Sequence, residues 1–182
     1  MSAPVTLVTE RLTLRPPSLG DVDAIVREVS DDRIARWTTS ISHPYPPGAI
    51  DDFLAMVEDD RAAGDGWTFA MIERSSDVVG MVRLDRTDLD DTGEIGYWVA
   101  IDRWGRGYAT EASRRILTYG FDDLGFRRVR TYIMPANEPS RRVLTKLGFV
   151  PDGHGPVEAP ARGGPVAMDF LLLERRAWMD HA

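Results

Sequence analysis

The stretch Glu94-Ile95-Gly96-Tyr97-Trp98-Val99-Ala100-Ile101-Asp102-Arg103-Trp104-Gly105-Arg106-Gly107-Tyr108-Ala109-Thr110-Glu111-Ala112 decides the reading of this chain. Its first half is rich in aromatic and β-branched residues, and both alternating faces are largely apolar. That is the pattern of a strand covered on both sides. Two glycines then flank Arg106. After them, Ala109, Ala112, Ile116 and Leu117 fall on one helical face. A strand thus runs into a glycine loop, and the loop opens a helix. The first turn of a helix leaves backbone N–H groups without intrahelical partners, and the helix dipole adds partial positive charge there. With glycines admitting close approach and Arg106 adding a cation, the junction suits an anion, best a pyrophosphate. The same residues also suit a tight strand-to-helix turn that merely needs flexible residues. The loop is not a Walker A loop, since no Gly-Lys-Ser/Thr follows. It is not a dinucleotide fingerprint, since Thr110 stands where a third glycine belongs.

Upstream, residues 5–15 alternate apolar and polar through Leu7, Leu12 and Leu14 and read as one strand, ended by Pro16-Pro17. Ser18 with Asp21 makes a short capping box before a helix over 19–29. Residues 31–47 form an aromatic-rich loop holding Trp37, Ile41, His43 and Tyr45, a kind of segment that is often functional. A helix from Pro46 or Pro47 to about 63 follows, with an Ile50, Phe53, Leu54 and Val57 stripe. Strands are expected over 67–73 and 78–84, with a turn at 75–77 and a bulge or close approach at Gly80. The aspartates of 88–93 do not match a calcium loop and read as a hairpin tip.

Downstream, the helix after the glycine loop runs to about 123 and ends at Gly125. A strand over 127–134 has Val129, Thr131 and Ile133 on one face. The block 137–149 is a helix with good end signals, Pro139 in its first turn and Gly148 at its end. Residues 151–165, rich in Gly and Pro, read as loop, 166–174 as the last strand and 175–182 as a tail. The order β-α-α-β-β-β-α-β-α-β-β predicts an α/β fold with one mixed, mostly antiparallel sheet flanked by helices. No internal repeat or domain boundary interrupts residues 1–182, which are expected to form a single domain.

The 182 residues suit one sizeable core, and 43% hydrophobic with 28% charged is ordinary for a globular protein. No apolar run is long enough to span a bilayer, and no signal peptide is visible. Cysteine is absent, which excludes disulfides, thiolate metal sites and a cysteine nucleophile and fits a cytoplasmic enzyme. The net charge of −7 argues against nucleic-acid binding and is compatible with attracting a cationic amine. Lys146 is the only lysine.

Two motifs resemble one family. Residues 104–112 are similar to the acyl-CoA loop of the GCN5-related N-acetyltransferases (GNAT), in the branch typified by the RimJ/RimL-type ribosomal-protein acetyltransferases. Gly107 and Ala109 match the last half of the superfamily pattern Gln/Arg-x-x-Gly-x-Gly/Ala, and Trp104 stands where Gln or Arg is usual. Asn137-x-x-Ser140 followed by Lys146-Leu147-Gly148-Phe149 resembles the family's second CoA-contacting helix, and residues 9–16 resemble the branch's opening strand. The resemblance covers almost the whole chain. It implies the GNAT fold, acetyl-CoA as cosubstrate with no metal, and an N-acetyltransferase that transfers groups other than aminoacyl groups. The strand after the central one would splay from it, with the pantetheine arm bonded to the backbone of Val99 and Ile101. The pyrophosphate would sit on the amides of Trp104, Gly105, Arg106, Gly107, Tyr108 and Ala109. Asn137 would reach the pantetheine, and Arg141 or Lys146 a CoA phosphate.

The implied chemistry is direct attack of an amine on a thioester. It needs a base, a polarised carbonyl and help for the leaving thiolate. Glu94 is the base candidate and His43 a weaker one. The family's usual tyrosine position holds Leu144, so Ser140 is the candidate donor to sulfur. The resemblance assigns Trp37, His43 and Tyr45 to the acceptor side. The acceptor would be a protein N-terminus or a small-molecule amine, with no nucleic acid or membrane partner, and the chain a monomer or homodimer. The rival is a catalytically silent acyl-CoA-binding regulatory module.

Overall fold

The chain was analysed as a computed structural model, which describes residues 4–73, 78–89 and 91–180. Eight strands form a single sheet in the order β1-β2-β3-β4-β5-β6-β8-β7. They are β1 (Leu7–Val8), β2 (Leu12–Arg15), β3 (Gly66–Glu73), β4 (Val78–Arg86), β5 (Thr92–Val99), β6 (Arg128–Ile133), β7 (Val150–Val157) and β8 (Val166–Glu174). Among the described residues, six α-helices join or flank them: α1 (Val22–Val29), α2 (Asp32–Ala35), α3 (Ala49–Ala63), α4 (Tyr108–Asp122), α5 (Glu138–Lys146) and α6 (Arg175–Met179). Every neighbouring pair of strands is antiparallel except β5 and β6. The expected mixed, mostly antiparallel sheet is therefore present. Among the described residues, no helix is long and apolar enough to cross a membrane.

Alternation along the strands sends side chains to two cores. Phe69, Met71, Val82, Leu84 and Ile95 join Ala112, Ile116 and Leu117 of α4 and Leu144 of α5 on one face. Ala70, Val78 and Met81 join Ile25 and Val29 of α1 and Ile50 of α3 on the other. β5 carries both faces: Tyr97 packs against the first core and Trp98 against the second. Both rings are half-buried and Gly96 is exposed, so the second half of β5 is less covered than its apolar pattern predicts. At Gly80 the expected close approach is present, since a Cβ there would lie 2.5 Å from the Trp98 carbonyl oxygen.

Four expectations differ from the structure. The first strand is two, because Thr9 turns the chain: its amide donates to the Leu12 carbonyl and its Oγ1 accepts from the Leu12 amide, both at 2.9 Å. This local side-chain bonding competes with extended pairing, and it folds Leu7 back opposite Leu14. The loop 31–47 contains α2, capped by the Asp31 side chain, which accepts from the Arg33 amide. Residues 150–157, read mostly as loop, form β7. Its prolines Pro151 and Pro156 are tolerated because β7 is an edge strand. The tail begins with α6, which buries Trp178. The turn expected at 75–77 lies outside the described residues.

Thr131 of β6 is buried, and its hydroxyl donates to the Ile95 carbonyl at 2.8 Å, just past the last β5–β6 backbone pair. Thr131→Val keeps the shape and strands that carbonyl. A loss of about 1–3 kcal/mol in chemical unfolding is expected. An unchanged melting curve would show that the carbonyl finds another partner.

Candidate active site

The site begins where β5 and β6 part. Their parallel ladder has three pairs, Thr92↔Arg128, Gly93↔Val129 and Glu94↔Arg130. Beyond them each strand remains paired on its outer side only, β5 to β4 as far as Gly80↔Val99 and β6 to β8 as far as Ile133↔Asp169. The inner edges open into a fork. Thr131 covers the Ile95 carbonyl at its base, and the Trp104 indole N–H donates to the Val99 carbonyl at its mouth at 2.7 Å. The Val99 carbonyl thus faces the fork, with one acceptor lobe used by Trp104 and a second remaining. The Ile101 carbonyl is used inside its own turn, accepting from the Trp104 amide.

The glycine loop lies at the same end. Gly105 and Gly107 have φ of +73° and +84°, values that a side chain with a Cβ rarely adopts. Gly107 is the N-cap of α4 and supplies no side chain to the first-turn amides. Trp104, Gly105, Arg106 and Gly107 are exposed and Ala109 half-buried, while the Tyr108 ring is buried with its hydroxyl donating to Glu73. Tyr108 therefore presents only its backbone to the loop. The Trp104 amide, expected at the pyrophosphate, is instead used inside its own turn by the Ile101 carbonyl; the amides from Gly105 to Ala109, uncapped by side chains and flanked by Arg106, fit a pyrophosphate.

The loop is clamped from the β1–β2 turn. Glu111 accepts from the Thr9 hydroxyl at 2.6 Å, the Arg11 amide at 2.8 Å and Arg11 Nε at 2.6 Å. Arg11 also donates to the Arg106 carbonyl at 2.8 Å and lies 4.3 Å over the Tyr108 ring. Burial pushes the Glu111 carboxyl up, but the donors from Thr9 and Arg11 outweigh it and hold it below the ordinary range. Arg11 also offsets a negative charge that would otherwise stand beside an incoming phosphate.

The helix α5 borders the fork on the α4 side of the sheet. Asn137 caps it, its Oδ1 accepting from the Ser140 amide at 3.2 Å. The Asn137 oxygen is thereby committed to the helix, and its NH2 group is the end left for a ligand. The Ser140 hydroxyl lies 2.8 Å from the Tyr97 hydroxyl. Burial pushes the Tyr97 phenol up to about 12. Arg141, expected near a CoA phosphate, is ion-paired with Asp169 at 2.6 Å and also donates to the Pro135 carbonyl. Lys146 is exposed at the other end of α5.

On the opposite face, Glu94 pairs through Oε2 with Arg130 Nε at 2.9 Å, at the last rung of the ladder. Tyr132 stands beside it, its phenol pushed up by burial and then by the Glu94 charge, with the nearby Thr39 side chain drawing it back down. The segment 31–47 thus reaches the Glu94 face through Thr39. Arg162 fixes that segment by donating to the carbonyls of Ala35, of Thr38 at 3.0 Å and of Ile41 at 2.9 Å. The three residues assigned to the acceptor side differ in their surroundings. Tyr45 packs against the α1–α3 core, Trp37 is half-buried and His43 is exposed. Sequence reasoning missed Tyr97, Arg11, Arg130 and Arg162. Only Tyr97 left a signal, since strand alternation sets it on the face opposite Glu94.

Residues 11–150 match the family model described as the acetyltransferase (GNAT) domain. The uncharacterized N-acetyltransferase p20 of Bacillus licheniformis is 32% identical over 150 residues, covering 81% of this chain and 84% of that protein. Two solved structures share the fold. Mycobacterium smegmatis RimJ in complex with CoA-disulfide superposes with a TM-score of 0.80 at 21% identity, covering 96% of this chain and 91% of that one. Spermidine N-acetyltransferase from Vibrio cholerae, in complex with CoA and spermine, gives 0.78 at 19%, covering 93% and 98%.

The Glu111 clamp makes a pH-dependent prediction. A carboxyl held below its ordinary value stabilises the fold above that value, 4.5 for glutamate, and the contribution is lost as pH falls through the folded-state value beneath it. Glu111→Gln should cost about 1–3 kcal/mol near neutral pH, by loss of charged hydrogen bonds. The gap between parent and variant in urea unfolding should close as pH drops below 4.5. A gap independent of pH would show that shape, not charge, holds the clamp.

Proposed function

The chain belongs to the GNAT acetyltransferase family, and from that premise we propose that it moves an acetyl group from acetyl-CoA to a primary amine by direct attack in a ternary complex. The observation that carries this reading is the fork beside the uncapped α4 N-terminus. One end of the sheet holds both an opening for a slim chain and a row of amides for its phosphates. The acceptor is a protein N-terminus or a small-molecule amine, and the setting is cytoplasmic.

Acetyl-CoA would supply the activated acetyl thioester. The residues supply binding and proton handling. The amides of Gly105 to Ala109 hold the pyrophosphate, the Trp104 amide being already given to the Ile101 carbonyl, and Arg106 and Lys146 offer exposed cations. Arg141 acts through its pair with Asp169, which fixes α5 to β8. The Val99 carbonyl and the Ile101 amide hold the pantetheine arm, with the Asn137 NH2 group meeting it from α5. A β5 amide polarises the acetyl carbonyl. The amine enters on the Glu94 face beside the segment 31–47, where Trp37 and His43 line the approach and Tyr45 supports the segment from beneath. Glu94, oriented by Arg130, takes the amine proton directly or through water. Ser140 donates to the departing sulfur.

Incubation with acetyl-CoA and a panel of amines, followed by free-thiol release, tests the reading. Amine-dependent release is expected. Tight CoA binding with slow release for every amine would make the chain an acyl-CoA-binding module instead. Acetyl-CoA at about a hundred times its Kd should stabilise the parent by roughly 2.7 kcal/mol. Gly107→Val should abolish that shift, because a β-branched residue cannot adopt the loop conformation without strain. Normal binding by a folded variant would remove the loop from the CoA site.

Glu94→Gln keeps shape and hydrogen bonding but removes proton acceptance. Amines arrive mostly protonated near neutrality, so the parent rate should climb with pH. The variant should be slower by about 10²–10⁴-fold near neutral pH, as for loss of a general base, with part of the rate recovered at alkaline pH. His43→Ala should lose less. A Glu94→Gln profile that overlays the parent, or a larger loss for His43→Ala, would assign the base elsewhere.

A further inference from the structure

A leaving thiolate needs a hydrogen-bond donor whose proton already points at it, and a serine hydroxyl is free to rotate unless something fixes it. We infer that Tyr97 is the positioning residue for this step: its phenol donates to Ser140 Oγ and so turns the Ser140 proton into the fork, toward the CoA sulfur. This rests on the acetyl-transfer reading above and adds a residue to it.

The geometry is specific. Tyr97 lies on β5 beyond the last β5–β6 pair, and Ser140 lies in the first turn of α5, so their 2.8 Å contact ties β5 to α5 past the point where β5 and β6 part. Among the described residues, the acceptors facing the Tyr97 hydroxyl both belong to Ser140, its Oγ at 2.8 Å and its carbonyl at 3.4 Å. The Ser140 amide is held by the Asn137 cap, so the backbone that carries the hydroxyl is fixed. Of two facing hydroxyls, the phenol is the stronger acid and therefore the better donor. The half-buried phenol also stays protonated through the working range, since burial pushes it up to about 12. With Tyr97 donating, one acceptor lobe of Ser140 Oγ is occupied and its own proton is left for the gap.

The step balances without a tyrosinate. The amine nitrogen bonds to the acetyl carbon, the carbon–sulfur bond breaks, and its electron pair stays on sulfur. Ser140 stabilises that anion by a hydrogen bond and keeps its proton. The surplus amine proton passes to the base and then to solvent, and solvent protonates the released thiolate.

The same contact could act only as a strut between β5 and α5, so the test needs a readout that a strut would not move. Thiolate ultraviolet absorbance of bound CoA, followed against pH, reports the donor directly and needs no turnover. Bound to the parent, the thiol should ionise at lower pH than when bound to Tyr97→Phe, by about one pH unit, a tenfold change in its acidity. Ser140→Ala, which leaves the strand untouched, should show the same displacement. Desulfo-CoA should bind all three proteins alike. Turnover should fall about tenfold in each single variant and no further in the double variant. Identical thiol titrations in parent and Tyr97→Phe, or losses that multiply in the double variant, would overturn the inference while leaving the acetyltransferase reading intact. Absence of amine-dependent thiol release by the parent would overturn that reading and this inference with it.

Discussion

The parallel pairing of β5 with β6 is the constraint on which the rest depends. Antiparallel neighbours can be joined by short turns, but a parallel pair needs a crossover of roughly a dozen residues or more, usually a helix. Here α4 is that crossover, with Glu111 in its first turn and the core residues Ala112, Ile116 and Leu117 on its buried face. A crossover helix must start at the C-terminal end of the strand it leaves. The uncapped N-terminus of α4 is therefore brought by topology to the end of β5, which is also the end where β5 and β6 separate. Ligand sites outside the carboxyl ends of strands, where connections change direction, follow from the same geometry in open sheets generally. The fork and the glycine loop are one consequence of one parallel pair.

Charge is distributed to suit that end. The chain is acidic as a whole, with a net charge of −7. Many of its arginines are spent on neighbouring carboxylates, as in Arg15 with Asp21, Arg83 with Asp60 and Asp85, and Arg141 with Asp169. At the loop, Arg11 neutralises Glu111 and Arg103 reaches Glu73 at 3.3 Å. The carboxylates nearest the proposed phosphate site are thus paired with cations, and Arg106 adds exposed positive charge. The pairing at the loop lowers the electrostatic cost of a polyanion on a protein that is otherwise negative.

The architecture was legible where local signals were strong. The run from Ile95 to Val99, the glycines and the α4 stripe located the central strand, the loop and the crossover helix. Pro139 and Gly148 bounded α5. β7 was hidden because Pro151, Pro156 and its glycines give the composition of a loop, and only the edge position in the finished sheet makes such a strand possible. The clamp between Arg11 and Glu111 joins residues 100 positions apart, and Arg162 secures residues 35–41 across a larger separation still. No local pattern carries such contacts, because they arise from how finished elements meet. Glu94 was found as a carboxylate at a strand start, whereas its partner Arg130 could be placed only once the parallel register was known.

The period-two geometry of β5 divides the work of the proposed reaction. Ile95, Tyr97 and Val99 face α4 and α5, and the Tyr97–Ser140 pair lies on that side. Glu94, Gly96 and Trp98 face the other way, toward the segment 31–47 and the α1–α3 core. Apart from Gly96 and its two chain neighbours, no heavy atom lies within 4 Å of where a Cβ would stand there, so the surface between the Glu94 carboxylate and the Trp98 ring is left open. An amine arriving from that side and a thiol leaving on the other meet only at the edge of β5 exposed by the fork. One strand, unpaired on that edge, can therefore keep acceptor and leaving group apart until they share a single carbonyl carbon. In the proposed reaction, the alternation that buries two cores would also separate proton removal from thiolate stabilisation.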